Sequence, residues 1–209
     1  IGSGGHARVL GDVLLGLDRD IIGFTSDQLP SGSIDGIRII GNDEKVLEYK
    51  SNEVELVNGI GSIPGNQNKR IEISKRFREE GYVFSNVISK EAILSKDISV
   101  GKGVQIMPGV VIQRGVSIGM DTIINTASTI DHDCSIGSNC HISPKSILCG
   151  SVTCENNVHI GAGSSVIQGI LIGEKSVVAA GSIIYKDVSA DTVIMNDLKV
   201  IEKKKEIEN

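Results

Sequence analysis

Histidine occurs only four times in this 209-residue chain, as His6, His132, His141 and His159. His132 stands in Asp131-His132-Asp133, an imidazole with a carboxylate on either side. A carboxylate that keeps one ring nitrogen protonated leaves the other free as a base near neutral pH. Gly150 follows eighteen residues later, and an unobstructed glycine N–H is a suitable donor to a developing oxyanion. Base and donor together suit acyl transfer, provided the fold stacks residues eighteen apart. His141 and His159 show the same separation. His6 belongs to a different context, the glycine turn Gly2-Ser3-Gly4-Gly5-His6-Ala7.

The element that must position His132, His141 and His159 is a repeat. Residues 92–187 divide into sixteen six-residue blocks without an insertion, from AILSKD and ISVGKG to SVVAAG and SIIYKD. The third residue of each block is branched and aliphatic, as in Leu94, Val100, Ile106, Ile130 and Ile142, except for Cys154. Two positions earlier sits a small or β-branched residue, as in Val104, Thr122, Ser128 and Cys134. A helix of 3.6 residues per turn smears a period of six around its axis. A parallel β-helix of hexapeptide repeats accommodates it, one short strand and one corner per block. Three blocks make a triangular coil, so the repeats predict just over five coils and a prism about 25 Å tall. His132 then occupies a corner. His141 and His159, each next to an inward anchor, point onto an external face. Gly101, Gly119, Gly137 and Gly173 share one eighteen-residue lattice, where glycine is expected to supply positive φ at the corners. The hand of the coil does not follow from spacing, since ordinary parallel crossovers are right-handed.

Ahead of the repeats the pattern is α/β. Gly2-x-Gly4-x-x-Ala7 matches a turn that lays backbone against phosphate, and a buried strand is expected to lead into it. Ala7, Leu10, Val13, Leu14 and Leu17 then recur at helical spacing, which puts a helix N-terminus, favourable to anions, at the turn. Strands are expected at Ile21–Phe24, Ile37–Ile40, Val54–Val57 and Tyr82–Phe84, with helices near Asn42–Tyr49 and Gln67–Glu80, giving a small parallel sheet. About 85 residues supply only half a dinucleotide fold, so a mononucleotide or nucleotide-sugar pocket fits better than a nicotinamide site. The expected organisation is an α/β half-Rossmann-like domain at 1–87, an all-β parallel β-helix at 88–188 and a C-terminal tail or cap at 189–209. A tail over the last coil would cover its unpaired edge.

Composition narrows the function. A net charge of −5 with 3% aromatic residues lacks the basic face and stacking rings of a nucleic-acid binder. No apolar run approaches the ~18–20 residues needed to span a bilayer. Cys134, Cys140, Cys149 and Cys154 form no CxxC pair, so they read as core filler in a reducing compartment and not as a metal site or a disulfide framework. A cytoplasmic protein without a metal is expected.

The GSGGHA opening, the hexapeptide blocks and the segment Asn125-Thr-Ala-Ser-Thr-Ile-Asp-His-Asp-Cys134 together resemble the bacterial NeuD/PglD-type sugar acetyltransferases, over nearly the whole chain. The resemblance implies a left-handed β-helix, a homotrimer with active sites between subunits, and acetyl-CoA as co-substrate. It implies His132 as general base with Asp133 beside it, and Asn125 near the acceptor. It implies coenzyme contacts at His141, Ala162 and Ala180. Gly4, Gly5, His6, Ser26, Asp27 and Gly61 match the positions that hold a nucleotide-linked sugar. Ser26-Asp27 replaces the family's frequent Asp-Asp, and Met195-Asn-Asp-Leu198 stands where relatives carry G-x-P-A. The implied reaction is N-acetylation of the 4-amino group of a nucleotide-linked 4-amino-4,6-dideoxy sugar, with O-acetylation of sialic acid as the alternative. A scaffold without catalysis, or a nucleotide-binding module, would have no need of a corner histidine stacked against a glycine.

Overall fold

The computed structural model describes residues 1–28, 31–62, 64 and 68–195; the expected tail from 196 onward, including Leu198, and Gln67 lie outside them. The N-terminal domain comprises α1 (Gly5–Gly16), β1 (Phe24–Thr25), β2 (Ser33–Ile34), β3 (Ile37–Gly41), β4 (Glu55–Leu56), α2 (Asn68–Glu79) and β5 (Val83–Phe84). The expected helix near 42–49 is a 3₁₀ helix, Asp43–Glu48, which buries only Val46. Six residues with one buried contact are too few to sustain an α-helix. The described strands form two sheets, one on either side of Ile1 and Gly2. β1 pairs parallel with β3, which carries β2 antiparallel, while β4 pairs parallel with β5. Ile1 and Gly2 bridge their ends: Ile1 donates to Val57 O and accepts from Gly59 N, both at 2.8 Å, and Gly2 N–H donates to Thr25 Oγ1 at 2.9 Å. A cavity of about 490 Å³, lined by Leu10, Leu14, Phe24, Val54 and Leu56 among others, lies between the two sheets.

From Val87 the chain winds into a parallel β-helix of two-residue strands separated by four-residue corners. Three sheets of seven, six and five strands result. The docked face runs from Val87–Ile88 to Val193–Ile194 and carries the N-terminal domain. The isoleucine face runs from Ile93–Leu94 to Ile183–Ile184, and the serine face from Ser99–Val100 to Leu171–Ile172. Neighbouring strands pair in register at eighteen residues, as in Ile123↔His141↔His159. Pairing continues past 188, because Val193–Ile194 joins Val177–Val178. Anchors from Ile106 to Ile184 are at most 4% exposed, each worth roughly 1.5–3 kcal/mol of transfer free energy.

The small positions carry a second ladder. The side chains of Thr122, Ser146 and Ser164 donate to the carbonyls fifteen residues on, Gly137, Gly161 and Ala179. Cys134 and Cys140 fill equivalent slots and aim their thiols at the carbonyls of Cys149 and Glu155. Burial pushes their thiols up to about 11 and about 12, which keeps both as protonated donors. All four cysteines are free.

The role expected of the glycine lattice is overturned. Gly101, Gly119, Gly137 and Gly173 do not have positive φ; the left-handed residues are instead every sixth one from 103 to 181. Asp121, Asp133, Asn139 and Asn157 take several of these places, being residues that tolerate that region. The lattice glycines avoid collision. A Cβ at Gly119 would stand 2.5 Å from the carbonyl carbon of Gly137 in the next coil, and one at Gly173 would stand 2.4 Å from Ala190 N.

Candidate active site

His132 projects from the edge between the isoleucine and serine faces, just after strand Thr129–Ile130. Its main chain is held by Ser151 N–H donating to its carbonyl and by its own N–H donating to Asp131 Oδ1, each at 2.8 Å. Asp133 adopts the left-handed conformation, φ 59°, and its Oδ2 lies 2.9 Å from His132 Nδ1. A carboxylate only accepts, so the Nδ1–H donates and Nε2 keeps the lone pair. This bond first, and the charge of Asp131 second, hold the imidazole above its ordinary pKa. Glycines flank the pair on both sides. A Cβ at Gly150 would stand 2.6 Å from Nε2 and Cε1 of His132, and one at Gly115 would stand within 2.3 Å of Asp133 Oδ1. The ring therefore rests on Gly150 in the next coil, as the eighteen-residue spacing predicts. Gly115, in the coil before, was not foreseen; its signal is the same spacing applied to Asp133.

The seam between the N-terminal domain and the docked face holds the other histidines. His141 and His159 point outward from the coil as expected but are not exposed, at 8% and 4%. Their rings meet edge to face at 4.9 Å. Burial pushes His141 down to about 3, helped by His159 and His6, and burial pushes His159 down to about 4. Asn125 Oδ1 accepts from Thr126 N–H at 2.8 Å, which turns its amide nitrogen toward His141 Nε2 at 3.0 Å. His6 Nε2 lies 2.7 Å from Oε1 of Gln105, a residue not singled out from sequence because outward positions of a coil read as solvent-facing. Docking buries Gln105 to 1%. Arg70 of α2 clamps the neighbouring loop, donating to the carbonyls of Asn58 and Ile60 at 2.8 and 2.7 Å, and burial pushes it down to about 10.

Gly4 caps α1 without a side chain. A Cβ at Gly4 or Gly5 would meet nothing within 4 Å, while one at Gly61 would lie 3.7 Å from His6 Cβ. The turn is thus open where side chains at Gly4 and Gly5 would stand, and it adjoins Gly61. Ser26 is buried, its N–H donating to Gly41 O at 2.7 Å, while Asp27 is exposed. Ala162 and Ala180 are exposed and stack one coil apart on the edge between the docked and isoleucine faces. Asn125 lies on that edge. One chain therefore gathers two groups: His6, Gly61, Asn125 and His141 at the seam, with Ala162 and Ala180 above, and His132, Asp133 and Gly150 on the edge opposite the docked face. Among the described residues no group of three or more His, Cys, Asp or Glu residues could hold a metal ion, and no helix is long and apolar enough to cross a membrane.

The profile of PglD N-terminal domains matches residues 1–77, and that of the hexapeptide repeat of succinyl-transferases matches 151–186. The solved structure of PerB from Caulobacter crescentus, in complex with CoA and GDP-perosamine, is 30% identical with a TM-score of 0.84, covering 92% of this chain and 90% of that one. The acetyltransferase domain of PglB from Neisseria gonorrhoeae, in complex with acetyl coenzyme A, is 27% identical with a TM-score of 0.85, covering 92% of each chain. A curated 2,3,4,5-tetrahydropyridine-2,6-dicarboxylate N-acetyltransferase of Staphylococcus aureus is 37% identical over 59 residues, 28% of this chain. The chain spans about a quarter of that relative, 25% of its length. Similarity over residues 1–77 and 151–186, and over nearly all of the chain to PerB, places this protein in the NeuD/PglD-type family of sugar acetyltransferases.

Proposed function

We propose that this protein is an acetyl-CoA-dependent N-acetyltransferase whose acceptor is the 4-amino group of a nucleotide-linked 4-amino-4,6-dideoxy sugar. The observation that carries the reading is the His132–Asp133 pair resting on Gly150, on a chain that superposes on a solved complex with CoA and a nucleotide amino sugar. The unprotonated amine attacks the thioester carbonyl, forming a C–N bond, and His132 Nε2 takes the proton the nitrogen sheds. Gly150 N–H stabilises the tetrahedral oxyanion. The C–S bond then breaks, and the CoA thiolate leaves and is protonated.

This geometry calls for a second copy. His132 is 55% exposed in a single chain, too open to exclude water, and Asn125 and His141 lie across the prism from it. The face between the two site edges shows Ile93 and Ile183 at 68% and 69% exposure, with Ile147 at 43%. An apolar stripe of that kind suits association. A cyclic trimer closing over the isoleucine face sets the His132 edge of one copy beside the Asn125 edge of the next.

The test is thiol release from acetyl-CoA against a panel of nucleotide amino sugars and free sialic acid. Transfer to a nucleotide-linked 4-amino sugar is the expected result, and transfer to sialic acid alone would replace the reading. Two variants separate site from fold. Gly150→Ala drives a methyl into the imidazole without forcing a left-handed residue, so kcat should fall about tenfold or more, a displacement of ~1 Å costing up to 10²-fold, with the Tm nearly unchanged. Gly4→Val puts a side chain into open space above the turn. The KM for the nucleotide sugar should rise and that for acetyl-CoA should not; equal damage to both removes the turn from the acceptor site.

A further inference from the structure

Gln105 is bound at both ends of its amide. Nε2 donates to Asn58 O at 2.8 Å, and Oε1 faces His6 Nε2 at 2.7 Å. A main-chain carbonyl can only accept, which fixes the end carrying nitrogen. Asn58 in turn cannot rotate away. Its Nδ2 donates to Arg70 O and Ser74 Oγ, each at 2.9 Å, and its Oδ1 accepts from Ile60 N–H at 3.1 Å. His6 Nε2 must therefore carry a hydrogen, and the lone pair of the neutral ring is on Nδ1. The ring is neutral because burial pushes it down to about 4, and Arg70 from α2 opposes protonation further. His141, facing it from the coil, is uncharged as well.

We infer that Gln105 is a positioning residue that locks His6 in the Nε2–H tautomer, so that Nδ1 accepts a hydrogen bond from an N–H or O–H group of the acceptor substrate. The inference rests on the assignment of His6 to the acceptor site. It separates two jobs within one turn. The backbone N–H groups at the start of α1 suit phosphate oxygens, whereas the side chain, with no hydrogen to offer, suits a donor on the base or the sugar. A phosphate oxygen at Nδ1 would set lone pair against lone pair.

The test uses the full chain with ¹⁵N-labelled histidine, each signal assigned by substitution. Long-range ¹H–¹⁵N correlation should find His6 protonated on Nε2 alone. Gln105→Met keeps length and volume but removes the lock. It should mix the tautomers and raise the KM for the nucleotide amino sugar about twofold or more, because affinity falls with the fraction of rings still protonated on Nε2 alone, with the KM for acetyl-CoA unchanged. In a His6→Ala background the same substitution should add nothing. Gln105→Glu, a second variant, places one carboxylate oxygen at Nε2–H, which raises the His6 pKa, and sets the other against Asn58 O. The protonated ring carries hydrogen on both nitrogens, so the rise in KM on the acid side should move to higher pH than in the wild type. A wild-type His6 protonated on Nδ1 would overturn the inference, as would a Gln105→Met penalty that persists without His6. A locked tautomer with an unchanged sugar-nucleotide KM overturns it by removing His6 from the acceptor site. Failure of the wild type on every nucleotide amino sugar is a different result, and it overturns the functional reading.

Discussion

Replacing His132 by alanine is expected to lower kcat by about 10²–10⁴, the range for loss of a general base, with the fold intact. The side chain leaves a corner and takes no part in the core, and the Ser151 N–H still finds the residue's carbonyl. Asp133→Asn should cost less. It keeps a hydrogen-bonding group beside Nδ1 but loses the charge that stabilises the imidazolium. The pH profile adds a sign. The carboxylates hold His132 above the ordinary histidine pKa of ~6.5, so the base is progressively protonated, and the rate lost, as pH falls through that raised value. Asp133→Asn removes the larger cause and should move the acid limb to lower pH. An ammonium on the sugar contributes to the same limb, and the residual rate of His132→Ala reports that contribution alone. An alanine variant with near wild-type kcat takes His132 out of the mechanism and leaves a protein that merely holds two reactants together.

Breaking the isoleucine face should have an effect of similar size by a different route. Ile147→Asp with Ile183→Asp places two charges where a dry contact is proposed, each expensive to bury unpaired. Both side chains point away from the coil, so the chain should fold, sediment as a monomer and lose nearly all activity. A fully active monomer would sink the shared site. Complementation is the more telling version. His132→Ala and His141→Ala chains, each impaired alone, should regain activity when unfolded and reassembled together, because a site drawing one residue from each copy is whole in about a quarter of the interfaces of a random mixture. No regain would place both residues' work within one chain.

Much of the coil was legible because one number governs it. A period of six excludes helices, and a lattice of eighteen brings His132 over Gly150 before any coordinate is known. The same lattice misled where steric cause and conformational cause share a residue type. Glycine serves both positive φ and close approach, and only the backbone angles separate Gly119, which avoids the next coil, from Gly115, which does both. The seam was not legible. Whether an outward residue such as Gln105, His141 or His159 meets water depends on what another domain lays over it, and that contact is not periodic. Short N-terminal strands were placed to within a few residues, but the antiparallel strand Ser33–Ile34 was not read from the polar turn that holds it.

The side-chain ladder from the small positions to carbonyls fifteen residues on has a consequence for how such a chain can change length. Each hydroxyl or thiol is keyed to one corner of the following turn of the prism. A single-residue insertion between Thr122 and Gly137 would unkey that pair and slip every column above it by one pleat, turning anchors outward. Surplus residues are tolerated only as loops bulging from a corner, outside the keyed count. A longer ligand groove can therefore be made only by duplicating eighteen-residue units, in increments of about 4.8 Å. Along the edge that carries Ala162 and Ala180, the protein is a ruler graduated in whole turns.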